Sequence, residues 1–156
     1  MRCAVPTGQP VMSAWRRYRR ADQEAWADYQ AASRSAYELL QQQLRDAFDR
    51  CEQLARASMA SFAVQVAAWH AAENGIETDA GDDALTDPAT AWDDHLGRVS
   101  QAVRHRESAH AGYRAGYRAA AAAAKSAYEE RISAARGQWM TACGGRDGRH
   151  DDPYAH

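Results

Sequence analysis

The chain has 156 residues, the length of one domain on the usual scale of roughly 100–200 residues, and its 19 basic and 21 acidic residues leave a formal net charge of −2. That balance does not imply a whole-protein affinity for polyanions and points to local charge instead. Abundant alanine and arginine, few β-branched residues and only four prolines predict an all-α fold, while three widely spaced cysteines form neither a disulfide framework nor a zinc site.

The amino-terminal stretch MRCAVPTGQPVM has no apolar run long enough for a signal peptide or a membrane span, so a cytoplasmic location is the default. Residues 1–11 are expected to be a flexible leader, dispensable for folding. From Ala14 to Gly75 the sequence divides into consecutive elevens that begin alike. A small residue leads each block at Ala14, Ala25, Ala36, Ala47 and Ser58, and a large one follows it at Trp15, Trp26, Tyr37, Phe48 and Met59. Three positions further on stand Tyr18, Tyr29, Leu40, Cys51 and Phe62. An apolar stripe stepping by three, four and four residues advances about 3.67 residues per turn, which favours a nearly straight or weakly right-handed packed helix over a heptad coiled coil. Cys51 occupies a stripe position and reads as a buried small hydrophobe.

This pattern predicts a first helix over 12–74, about 90 Å long at 1.5 Å per residue, with Ser13 as its N-cap. Asn74-Gly75 supplies the stop, since Gly takes the left-handed conformation readily. Residues 75–87 then read as an acidic loop. Between Glu77 and Asp94 every charged residue is acidic: Glu77, Asp79, Asp82, Asp83, Asp87, Asp93 and Asp94. Asp87 and Pro88 restart a helix as N-cap and first-turn proline, with Thr90 and Asp93 as an alternative capping pair. The second helix spans 88–143 and repeats more weakly, at His95, Arg106, Tyr117, Tyr128 and Trp139 and at Val99, His110, Ala121 and Ile132. Its middle is built of small residues. Gly112, Gly116 and the run from Ala119 to Ala124 suggest that a neighbouring backbone or large side chain approaches closely, since each glycine costs roughly 1 kcal/mol relative to alanine. Residues 144–156 lack apolar periodicity and are expected to be disordered.

Two long helices joined by a short connector bury their stripes together only when antiparallel. The preferred register sets Trp26 opposite Trp139, Tyr37 opposite Tyr128, Phe48 opposite Tyr117 and Val66 opposite Val99. It leaves the segment WRRYRR overhanging by about three turns. A slip of eleven residues pairs Trp15 with Trp139 and Tyr37 with Tyr117 nearly as well. The competing fold breaks the first helix near Ser33-Arg34-Ser35 into a compact monomer, against which stands the lack of Gly or Pro there. Because a lone hairpin has one interface, its aromatic side chains are expected to promote dimerisation into a four-helix bundle. The packing residues are Trp26, Tyr29, Tyr37, Phe48, Tyr117, Tyr128 and Trp139.

The most suggestive functional feature is the cluster formed by Arg16, Arg17, Arg19 and Arg20 around Trp15 and Tyr18. Guanidinium groups contact phosphates and interleaved aromatics stack on bases. The plainer interpretation makes the arginines a solvated face balanced by Asp22, Glu24 and Asp28. Asp22 and Glu24 also follow too soon for a clean basic membrane-surface helix. In the acidic loop, the carboxylate spacing does not match a calcium-binding loop. An acidic tip at one end and a basic overhang at the other favour head-to-tail contact between hairpins. In the preferred register His70, Glu73 and His95 meet near the loop as a candidate three-ligand metal set. Glu107 and His110 have the Glu-x-x-His spacing of di-iron bundles, but their partner motif is missing. Neither a nucleophile with its base nor a glycine-rich phosphate loop is present.

These features predict a non-enzymatic, cytoplasmic oligomerisation scaffold or adaptor without cofactor or metal, whose partners are itself, as a homodimer or higher oligomer, and another protein. The alternative is a nucleic-acid-binding protein acting through the arginine cluster. The chain shares a hairpin shape with the small secreted helical hairpins that carry a Trp-x-Gly turn. Its own turn, Asn74-Gly75, lacks that tryptophan.

Overall fold

The computed structural model describes residues 9–76 and 86–144. Helix α1 spans Gln9–Glu73 and helix α2 spans Pro88–Cys143, and the two pack against each other as an antiparallel hairpin. No strand occurs among the described residues. Helix α1 is continuous through Ser33-Arg34-Ser35, where neither Gly nor Pro offers a break. It starts inside the expected leader, so Ser13 lies within the helix and does not cap it. The rest of the leader, most of the acidic loop and the tail after Gly144 fall outside the described residues.

The helix ends that face the connector follow from a few side chains. Gly75 takes φ 69°, and the Ile76 amide donates to the Ala71 carbonyl at 2.9 Å while the Gly75 amide donates to Ala72 at 3.0 Å. This is the Schellman arrangement, which satisfies carbonyls that the last helical turn leaves without partners. The Asn74 side-chain amide adds a bond to the His70 carbonyl at 2.7 Å. At the start of α2, Asp87 accepts from the amides of Ala89 and Thr90 at 3.0 and 3.1 Å. The Thr90 hydroxyl donates to its other carboxylate oxygen at 2.6 Å, so Thr90 closes the cap with Asp87 and not with Asp93. Above all that hydroxyl, together with the Thr90 amide, holds the Asp87 carboxyl below its ordinary pKa. Pro88 occupies the first helical position, where its missing N–H removes no bond.

Contacts divide the hairpin into two units, one of residues up to Ala36 with those from Arg118 onward, the other running Tyr37–Tyr117. In the first unit, Trp139 packs against both Trp15 and Tyr18, with ring centroids 5.4 and 5.7 Å away, and those two rings are 5.5 Å from each other. Tyr128 meets Trp26 at 5.8 Å and Tyr29 at 5.7 Å. An ion pair joins Arg131 to Asp28, and Ala14 and Ala25 are buried. In the second unit Tyr37 meets Tyr117 edge-on at 6.4 Å, and Phe62 packs on Trp92 and His95 at 5.2 and 6.0 Å. Ala47, Ser58, Ala91, His95 and Ala102 are buried here. The seam is therefore floored by small side chains and flanked by rings.

These contacts overturn the preferred register. Trp26 meets Tyr128 and not Trp139, and Tyr37 meets Tyr117 and not Tyr128, which is the arrangement slipped by eleven residues. The physical reason lies at the amino-terminal end of α1. With the slip, Trp15 and Tyr18 both find Trp139, whereas the preferred register leaves their rings in water. The segment WRRYRR consequently does not overhang. The unequal end is the other one, where α1 continues three turns past Phe62 while α2 has about one turn before Trp92.

The glycines of α2 need a second correction. A Cβ added at Gly97, Gly112, Gly116 or Gly137 meets nothing within 4 Å, so no neighbour among the described residues requires them to be small. Gly112→Ala with Gly116→Ala is therefore expected to raise stability by about 1–2 kcal/mol in urea unfolding, because alanine favours the helix by roughly 1 kcal/mol per site. A fall in stability would show that this face is covered by something outside the chain.

Candidate partner-binding surfaces

The residues expected to pack hairpins together separate into two groups. Tyr29, Tyr117, Tyr128 and Trp139 are half-buried in the seam. Trp26, Tyr37 and Phe48 remain 47, 52 and 54% exposed, and Met59 is 45% exposed. Within the Tyr37–Tyr117 unit, Tyr37, Phe48 and Met59 follow one another at eleven-residue steps, three turns apart, which puts them on one side of α1. Each follows a small residue in the sequence, Ala36, Ala47 or Ser58, of which the last two are buried. The small residue faces α2 directly, and its neighbour, rotated by roughly 100°, stands at the edge of the seam, where Tyr37 still reaches Tyr117 but most of each large side chain stays outside.

Arg16, Arg17, Arg19 and Arg20 are all exposed, and none makes an ion pair among the described residues. The Arg19 guanidinium lies 5.8 Å from the centre of the Trp15 ring. Trp15 and Tyr18 are already engaged with Trp139. The cluster therefore offers four cations, while its two rings are committed to the seam.

The candidate metal set does not assemble. His95 is 7% exposed, and its Nδ1 shares a hydrogen bond with the Ser58 hydroxyl at 2.9 Å. Its ring also lies tilted against Trp92, with centroids 5.2 Å apart. His70 lies eight residues beyond Phe62, about 12 Å along the helix, and faces Glu73 at 3.6 Å on an exposed surface. Ser58 stands where the preferred register had His70, so the corrected register dissolves the set. No three His, Cys, Asp or Glu residues are grouped to hold a metal among the described residues. Glu107 is exposed, and His110 is half-buried with its Nε2 lacking a hydrogen-bond partner.

A basic groove in the Tyr37–Tyr117 unit was not visible from the sequence. Two adjoining cavities of about 440 and 210 Å³ share Leu54, Ala102 and His105. Arg98 lines the larger, and Arg50, Cys51 and Arg106 line the smaller. These cations come from both helices and meet only once the register is known. Cys51 is a half-buried free thiol, more open than a core position would be.

No family model, curated protein or solved structure matches this chain. Among the described residues, no helix is long and apolar enough to cross a membrane.

Proposed function

We propose that this protein is a non-enzymatic scaffold or adaptor that self-associates, most simply as a homodimer forming a four-helix bundle, and acts through protein contacts in the cytoplasm. The observation that carries this reading is the exposure of Phe48 and Met59 beside a seam already filled by alanines. A large side chain left half in water forfeits about 1–2 kcal/mol of burial at roughly 25 cal/mol per Å². A second hairpin laid on the same side recovers it. The eleven-residue spacing serves this purpose, because it returns Tyr37, Phe48 and Met59 to one side every three turns. A closed two-fold dimer uses one patch on both copies and leaves no edge.

The test is to replace two residues that have no ring partner among the described residues. Phe48→Gln with Met59→Gln is expected to leave far-UV helicity intact and to convert the protein to a monomer at concentrations where the wild type associates. An unchanged mass with intact helicity would sink the reading.

The second reading, nucleic-acid binding, is favoured by the four exposed, unpaired guanidinium groups at Arg16, Arg17, Arg19 and Arg20. It requires that replacing all four with Gln abolish binding and flatten its salt dependence. Absence of binding by the unmodified protein at low salt eliminates it.

A further inference from the structure

The groove in the Tyr37–Tyr117 unit has a built-in charge preference. Its floor is made of small residues, the buried Ala47, Ser58 and Ala102, with Ala57, Ala109, Gln101 and Tyr113 on the sides and Leu54 shared by the two cavities. Its cations are Arg50, Arg98 and Arg106, the His105 ring lines both cavities, and no carboxylate lines either one. None of the three arginines makes an ion pair or side-chain hydrogen bond among the described residues. Arg106 is the sharpest case, because its Nε is buried without an acceptor. A buried unsatisfied donor costs roughly 1–3 kcal/mol, and a carboxylate reached by a turn of this side chain would accept from Nε and Nη together in the bidentate geometry.

A volume of about 440 Å³ falls in the range of ligand sites and accommodates several small side chains. The ligand matching this floor and these cations is a short peptide of carboxylates interspersed with small residues. This chain contains one. Its connector, residues 77–87, reads ETDAGDDALTD, with Glu77, Asp79, Asp82 and Asp83 ahead of the capping Asp87 and no basic residue. We propose that the groove docks the acidic connector of a second copy of this chain. The proposal rests on the reading of the protein as self-associating and names a second contact for it. Groove and connector are different surfaces, so the contact is head-to-tail and extends dimers into longer assemblies.

The test is fluorescence anisotropy of a labelled synthetic peptide of residues 77–87 titrated with the full chain at low salt. Saturable binding is expected, weakened by added salt and by Asp→Asn and Glu→Gln replacement in the peptide. Arg50→Gln, Arg98→Gln and Arg106→Gln together should weaken it by about tenfold or more, and the exposed Arg98→Gln alone should weaken it measurably without risk to the fold. Replacing Arg16, Arg17, Arg19 and Arg20 by Gln should change it little. No binding at low salt, equal binding of the neutralised peptide, loss only in the Arg16–Arg20 variant, or competition by inorganic phosphate at an equal concentration of charge would each overturn the proposal. A peptide that fails while the chain's mass still rises with concentration removes the groove contact alone. A mass that stays at one chain removes the self-association beneath it.

Discussion

Trp139→Ala is expected to lower the unfolding free energy by about 3 kcal/mol, read as a shift in urea-induced unfolding followed by circular dichroism. Trp139 is the only α2 ring near the amino-terminal end of α1, and it contacts both Trp15 and Tyr18. Truncation removes two aromatic pairs, each contributing about 0.5–1.5 kcal/mol beyond burial, and opens the space between the helices. Two features keep the loss at the lower end of the roughly 3–5 kcal/mol range for Trp→Ala. The ring is half-buried, and its Nε1 is a buried donor without a partner among the described residues, whose removal relieves some of the cost. Trp26→Ala is the internal comparison. Trp26 is 47% exposed, so its loss is expected to cost about half as much. Equal effects at the two sites would contradict the register described above.

Ala25→Leu is the second large effect. Ala25 is 1% exposed in a seam flanked by Trp26, Tyr29 and Tyr128. Leucine has no room there, and the helices must separate or the rings leave their contacts, at a cost of about 3 kcal/mol. The control lies two residues away. Ala27 is exposed, and Ala27→Leu in the same denaturation experiment is expected to be within about 0.5 kcal/mol of the wild type. Leucine and alanine differ little in helix propensity, so the difference between the two variants isolates packing. Tolerance of leucine at Ala25 would show that the two helices do not approach closely at this level.

The all-α hairpin was legible because its punctuation is strong and local. Asn74-Gly75 and Asp87-Pro88 each determine a helix end through their own backbone chemistry, whatever packs nearby. The start of α1 was not, since Ser13 has the chemistry of a cap but the chain continues as helix before it. Register failed for a different reason. Both helices present rings at eleven-residue intervals, so a slip by eleven puts ring against ring again, and only the ends distinguish the two pairings. Trp15 and Tyr18 decide it by requiring Trp139. Every inference built on the other pairing moved with it, including the overhang and the meeting of His70 with His95. Gly112 and Gly116 misled because composition reports the absence of a side chain without reporting which way the position faces. In the sequence Arg106 marks only a repeat position of α2, and Arg50 and Arg98 stand in no motif. Their convergence on a groove is a property of two helices in one register.

Sedimentation equilibrium of the wild-type chain, from about 5 to about 500 µM in about 0.5 M salt, addresses self-association most directly, since head-to-tail charge contacts are screened there and apolar ones persist. The predicted result is a mass that rises from 17.2 kDa toward twice that value. A mass that stays at 17.2 kDa across the series would mean that the exposed side chains of α1 do not bring hairpins together, and would contradict the scaffold reading at its base.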